Sequence, residues 1–115
     1  IWQKCSYGQN NDATCSGTAG TSTWENAISY CEGLSLGGFT DWRLPNVKEL
    51  SSLVDDTRLN PSIDPLFTST LSSYYWSSTS FAGSTTVAWG VYFDYGSAGD
   101  GYKTNTYYVR CVRGQ

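Results

Sequence analysis

The stretch that most constrains the fold is Gly37-Gly38-Phe39-Thr40-Asp41-Trp42-Arg43-Leu44-Pro45-Asn46, running into Val47-Lys48-Glu49-Leu50. Adjacent glycines permit backbone angles that other residues avoid. A large indole, an arginine with a planar fork of donors, a proline and an Asn-x-x-Glu helix start follow at once. Such a density of constraints predicts a rigid corner between two elements. Trp42 is expected in the core, Pro45 at the corner, and Arg43 on loop carbonyls or Asp side chains through fixed hydrogen bonds. Asp41-Trp42-Arg43 could instead face a ligand, but the glycine turn before it and the helix cap after it favour the structural role.

Elements can be read on both sides of this corner. Ser22-Thr23-Trp24-Glu25 reads as a capping box, and Trp24, Ala27, Ile28, Cys31 and Leu34 then recur at helical spacing. Gly33, Gly37 and Gly38 end that helix. Asn46 caps a second one, with Glu49 reciprocating and Val47, Leu50, Leu53 and Val54 as its apolar stripe. Residues 56–67 hold two prolines and several turn formers, so they read as irregular, with Leu59, Ile63, Leu66 and Phe67 tucked inward. From Tyr74 the pattern becomes β. Tyr74–Ser78 is a short strand, and Val87, Trp89, Val91 and Phe93 then alternate with Ala88, Gly90, Tyr92 and Asp94. Gly96–Gly101 reads as a hairpin loop, with Tyr102–Lys103 and Tyr107–Val112 as returning strands. An opening strand, two short helices, a long loop and several antiparallel strands make an α+β domain.

At 115 residues the chain is one domain, residues 1–115. It opens in mid-stride with Ile1-Trp2-Gln3, and is expected to be a piece of a longer secreted or surface protein. Cys5, Cys15, Cys31 and Cys111 form an even set with no CxxC pair and no histidine beside them, which favours disulfides over zinc. Three connectivities are open. A local Cys5–Cys15 bridge around the polar loop is easy, and Cys31–Cys111 would then tie the first helix to the last strand. Chain entropy assigns about 4–5 kcal/mol to so long a closure and about 2–3 kcal/mol to the short one. Disulfides place the chain in an oxidising compartment.

Charge and composition narrow the function classes. Seven Lys plus Arg against ten Asp plus Glu give a net charge of −3, without a basic run to follow a phosphate backbone, so no nucleic-acid partner is expected. No stretch is long and apolar enough to insert in a membrane. Without histidine there is no Ser-His-Asp or Cys-His arrangement, and the adjoining Asp55-Asp56 carboxylates have no sign of a cleft, so no enzyme activity is expected. Asp55, Asp56, Asn60 and Asp64 could offer oxygens to calcium, and Asn10, Asn11 and Asp12 more weakly. The spacing does not fit an EF-hand and Asx turns account for these residues, so neither a metal nor a cofactor is expected.

Trp76 and Trp89 sit among apolar strand residues and read as core, while Arg110 and Arg113, straddling Cys111, read as structural. The outward set is Tyr92, Asp94, Tyr95, Asp100, Tyr102, Lys103 and Asn105, with Phe81 in the Ser/Thr/Gly loop before it. Rigid tyrosines give contact area and stacking faces for sugar rings, and amides and carboxylates give hydrogen bonds, the composition of a recognition surface. Tyrosines that simply decorate a sheet would look the same.

Four motifs carry a resemblance to a known family. Gly37–Asn46, Tyr75-Trp76-Ser77-Ser78-Thr79, Ala88-Trp89 and Val109-Arg110-Cys111-Val112-Arg113 occur in the order of the DUF1566 family, also called the Lcl C-terminal domain. The similarity runs from Trp2-Gln3-Lys4 to Arg113. The family resembles a branch of the C-type-lectin-like fold, close to the formylglycine-generating-enzyme group and to the variable proteins of diversity-generating retroelements. The resemblance implies terminal strands side by side, two helices flanking a small antiparallel sheet, long ordered loops at one end, and a Cys31–Cys111 bridge. It further implies a ligand-binding domain of a bacterial surface protein, the namesake adhering to sulfated glycans. Two departures are visible: this chain is acidic, and it lacks the Glu-Pro-Asn, Gln-Pro-Asp and Trp-Asn-Asp motifs of calcium-dependent lectins. The sulfated ligand is therefore not carried over. The functional expectation is a non-catalytic adhesion module for a glycan or an extracellular host or matrix protein. The alternative is a capping domain, or a homotrimerising one, of a fibrous or repeat protein.

Overall fold

The computed structural model describes residues 2–10, 15–55, 57, 63, 73–83, 85–94 and 96–113. In chain order these form α1 (Trp24–Glu32), β1 (Trp42–Arg43), α2 (Val47–Ser51), β2 (Tyr74–Ser80), β3 (Val87–Tyr92), β4 (Ser97–Tyr102) and β5 (Val112–Arg113). β1 and β5 make one antiparallel pair, and β2-β3-β4 make an antiparallel meander. The fold is α+β, as the pattern predicts, with the strands divided between two sheets.

The two ends of the chain lie together. The Gln3 amide donates to the Cys111 carbonyl and the Tyr7 amide to that of Val109, both at 2.9 Å. The expected opening strand is reduced to a single bridge, Trp2 against Val112. Cys31–Cys111 and Cys5–Cys15 are both bonded, which resolves the connectivity left open by spacing. All four cysteines are buried.

Helix starts divide the sequence signals into one that works and one that does not. At α2, Asn46 Oδ1 accepts from the Glu49 amide and Glu49 Oε1 accepts from the Asn46 amide, the full capping box. At α1 the N-cap is Thr23, without a side-chain bond. Ser22 does not cap because its backbone pairs with Tyr107 in both directions, and its hydroxyl donates to the Thr23 carbonyl. α2 is shorter than its apolar stripe. Leu53 and Val54 follow its end, yet pack with Leu50 and Val47.

The β2-β3-β4 sheet is covered on both faces. Tyr74, Trp76 and Ala88 join Ala27, Cys31, Trp42 and Leu44 in one cluster, while Tyr75, Val91 and Phe93 join Leu50, Leu53 and Ile63 in the other. Two-sided burial corrects the expected alternation of inward and outward positions. Tyr92 points into the first cluster, its ring centroid 4.6 Å from that of Tyr74. Trp89 is half-buried against Phe81 rather than in the core.

The second correction concerns the expected hairpin loop at 96–101. Residues 97–102 are strand β4, in register from Val87↔Tyr102 to Tyr92↔Ser97, and Phe93, Asp94 and Gly96 lie in the turn before it, with Gly96 at φ 83°. Glycine is a poor strand former, which disguised β4. Packing explains its use. A Cβ on Gly90 would lie 2.5 Å from Tyr74 Cζ, and one on Gly99 2.9 Å from Tyr92 Cε2. The glycines of the hairpin make space for the Tyr74, Tyr92 and Tyr107 rings, which meet edge-on or tilted at 4.4–4.6 Å.

Candidate functional site

The corner motif is held by contacts within the domain. Trp42 is buried, and its indole N–H donates to the Leu36 carbonyl. Gly37 and Gly38 hold φ of 64° and 83°, the left-handed turn that brings Phe39 back to pair with Leu36. Arg43 takes a helix carboxylate. Its two terminal nitrogens donate to the two Glu49 oxygens, each at 2.7 Å. That fork and the Asn46 amide hold the Glu49 carboxyl down at about 2. Beside it, Arg113 forks onto Asp41 and lies 3.6 Å above the Phe39 ring. This hydrogen bond lowers the Asp41 carboxyl below its usual range.

Arg110 is structural too. Its guanidinium is buried, donates to the Lys4 carbonyl and lies 5.8 Å from the Tyr75 ring. Burial pushes it down to about 10.

The outward set divides at the opposite end of the hairpin, where β2 leaves for residues 81–86 and β4 leaves for 103–106. Asp100, Tyr102 and Asn105 come together there. With Val87, Gly101 and Tyr107 they line a hollow of about 370 Å³. Tyr102 is 63 % exposed. Asn105 is held by its amide on the Tyr102 carbonyl and by its side chain, which donates to the Tyr107 hydroxyl at 3.2 Å. Tyr107 is itself fixed between Tyr74 and Trp76. The rim is therefore polar and exposed, but its base is a packed aromatic layer.

Lys103 stands next to this hollow. Its ammonium lies 4.0 Å from the centroid of the Trp24 ring and donates to Ser80 Oγ at 3.3 Å. The Trp24 indole is anchored by donation to the Ser77 carbonyl. Phe81, on the other side, rests on Trp89 with ring centroids 5.5 Å apart. Tyr92 and Asp94 do not join the group: Tyr92 is packed under the hairpin, and half-buried Asp94 lies in the turn at the far end of β3 and β4. Tyr95 lies outside the described residues.

The sequence reading missed Trp24, Ser80, Tyr107 and the hydroxyls of Thr85 and Thr104. Trp24 carried the signal of a helix face, and Tyr107 that of a strand. The Ser22↔Tyr107 bridge, the Trp24 amide on the Lys103 carbonyl, and the Trp24 and Trp76 indoles on the Ser77 and Ser22 carbonyls bring the start of α1 to this place. Among the described residues no group of three or more His, Cys, Asp or Glu is placed to hold a metal. Asp55 makes the expected Asx turn, accepting from the Thr57 amide and hydroxyl. Asn10 bonds to Ser16, while Asn11, Asp12, Asp56, Asn60 and Asp64 lie outside the described residues.

The sequence profile of the Lcl C-terminal domain matches residues 1–113. The chain belongs to the Lcl C-terminal domain family. No curated protein matches it significantly. In this Lcl C-terminal domain, residues 37–46 and 109–113 form the clamp between the corner and the chain end and do not line the hollow. The two disulfides suggest an oxidising, extracellular compartment, and among the described residues no helix is long and apolar enough to cross a membrane.

Proposed function

We propose that this Lcl C-terminal domain is a non-catalytic, lectin-like binding module of a secreted or surface-anchored bacterial protein, and that its ligand is a glycan. The observation that carries this reading is the exposure of Tyr102 above the Asp100–Asn105 hollow. Among the described residues the exposed large apolar side chains are Phe39 and Tyr102. One face of the Phe39 ring is taken by Arg113, whereas Tyr102 is the more exposed of the two and lines the hollow. An aromatic face beside a carboxylate and an amide suits a sugar ring, whose C–H face stacks while its hydroxyls accept and donate hydrogen bonds. The amide is positioned before any ligand arrives, which lowers the ordering cost of binding.

The test is a glycan array probed with the labelled domain, with and without calcium and at low and high salt. Binding to glycans that disappears in Y102A and N105A supports the reading. A blank array together with a stable homotrimer by light scattering would favour the capping role instead.

A further inference from the structure

Lys103 supports a second, charge-selective subsite. Its backbone is fixed on both sides, the amide donating to the Thr86 carbonyl and the carbonyl accepting from the Trp24 amide. Its ammonium is held by the Trp24 ring and Ser80 Oγ. No carboxylate pairs with it among the described residues, although Arg43 and Arg113 are both ion-paired. It forms the shared wall of two hollows. One, of about 390 Å³, is lined by Thr23, Glu25, Lys103 and Thr104, and its Glu25 disfavours an anion. The other, of about 490 Å³, is lined by Ser80, Phe81, Ala82, Gly83, Thr85 and Lys103. It has one cation, two hydroxyls, an aromatic edge and no acid among those residues.

From this arrangement we infer that the Ser80–Phe81–Thr85–Lys103 hollow binds the carboxylate of an acidic sugar, a uronic acid, at the end of a glycan lying across Tyr102. The inference rests on the glycan reading and deepens it. A single ammonium with hydroxyl donors neutralises one carboxylate. Glu25 and Asp100 in the adjoining hollows, and the net charge of −3, disfavour a polyanion. Ser80 exchanges its bond from Lys103 for one to the ligand, so the ammonium is released toward the hollow without breaking the Trp24 contact.

The test is amide chemical-shift mapping on the isotopically labelled domain with methyl β-glucuronide and methyl β-glucoside. The glucuronide is expected to bind about ten-fold more tightly, with shifts at 80–86 and 103. Lys103→Met keeps the apolar stem on Trp24 and should remove that preference, while Lys103→Arg should retain it. Equal binding of the two sugars, or a preference that survives Lys103→Met in a folded protein, overturns the subsite. If both sugars shift only 100–107, the subsite is wrong and the glycan reading stands. If neither shifts any amide, both are wrong.

Discussion

The two ends of the domain use the same residue types for opposite purposes. At the corner, Arg43, Arg113, Asp41 and Glu49 close on one another in two forked ion pairs. At the hairpin end, Asp100, Lys103, Asn105 and Tyr102 sit beside one another with no ion pair among them, Lys103 resting on Trp24 and Asn105 bonded to the packed Tyr107. Side chains that satisfy one another hold the chain together; side chains held apart but fixed are available to something else.

Breaking this comparison begins with the covalent tie. The Cys31–Cys111 bridge spans 80 residues, and C31S/C111S should lose about 4–5 kcal/mol of unfolding free energy, against about 2–3 kcal/mol for C5S/C15S. Chemical denaturation of both variants checks the ranking. Next comes the hairpin support. Gly90→Ala forces a methyl into the Tyr74 ring and the Tyr75 carbonyl and should cost about 1–3 kcal/mol. Gly99→Ala meets the Tyr92 ring edge at 2.9 Å without a backbone clash and should cost less.

A smaller effect separates the ion pairs. The Glu49 carboxyl is lowered from 4.5 to about 2, so its contribution is complete above pH 4.5 and is lost as the pH falls toward 2. Because the Arg43 side chain is 39 % exposed, solvent screening limits this contribution to about 1 kcal/mol. Thermal melts at pH 5 and pH 2.5 should converge for E49Q relative to the parent. The smallest change in stability is expected where function is proposed: D100N/Y102A/N105A should shift unfolding by about 0.5 kcal/mol or less.

Much of the scaffold was legible in the sequence. The Asn46–Glu49 box is a local code, and the helix carrying Cys31 has a clear apolar period. Three features escaped because they depend on contacts distant along the chain. Ser22 looked like a cap until Tyr107 took its backbone. Gly96–Gly101 looked like a loop because glycine lacks strand propensity, while the need for glycine comes from three tyrosines elsewhere. Tyr92 looked outward because alternation assigns sides of a strand and cannot show that both sides are covered. The site suffered most. Asp100, Tyr102, Lys103 and Asn105 are close in sequence and were found together, but Trp24 and Ser80 reach Lys103 only through the fold.

The most direct measurement is an amide chemical-shift map of the domain with a glycan selected from the array. Shifts concentrated at 80–86 and 100–107, with 37–46 silent, are the predicted result. Shifts concentrated at 37–46 and 110–113 would contradict the account, because the clamped corner would then be the surface that binds.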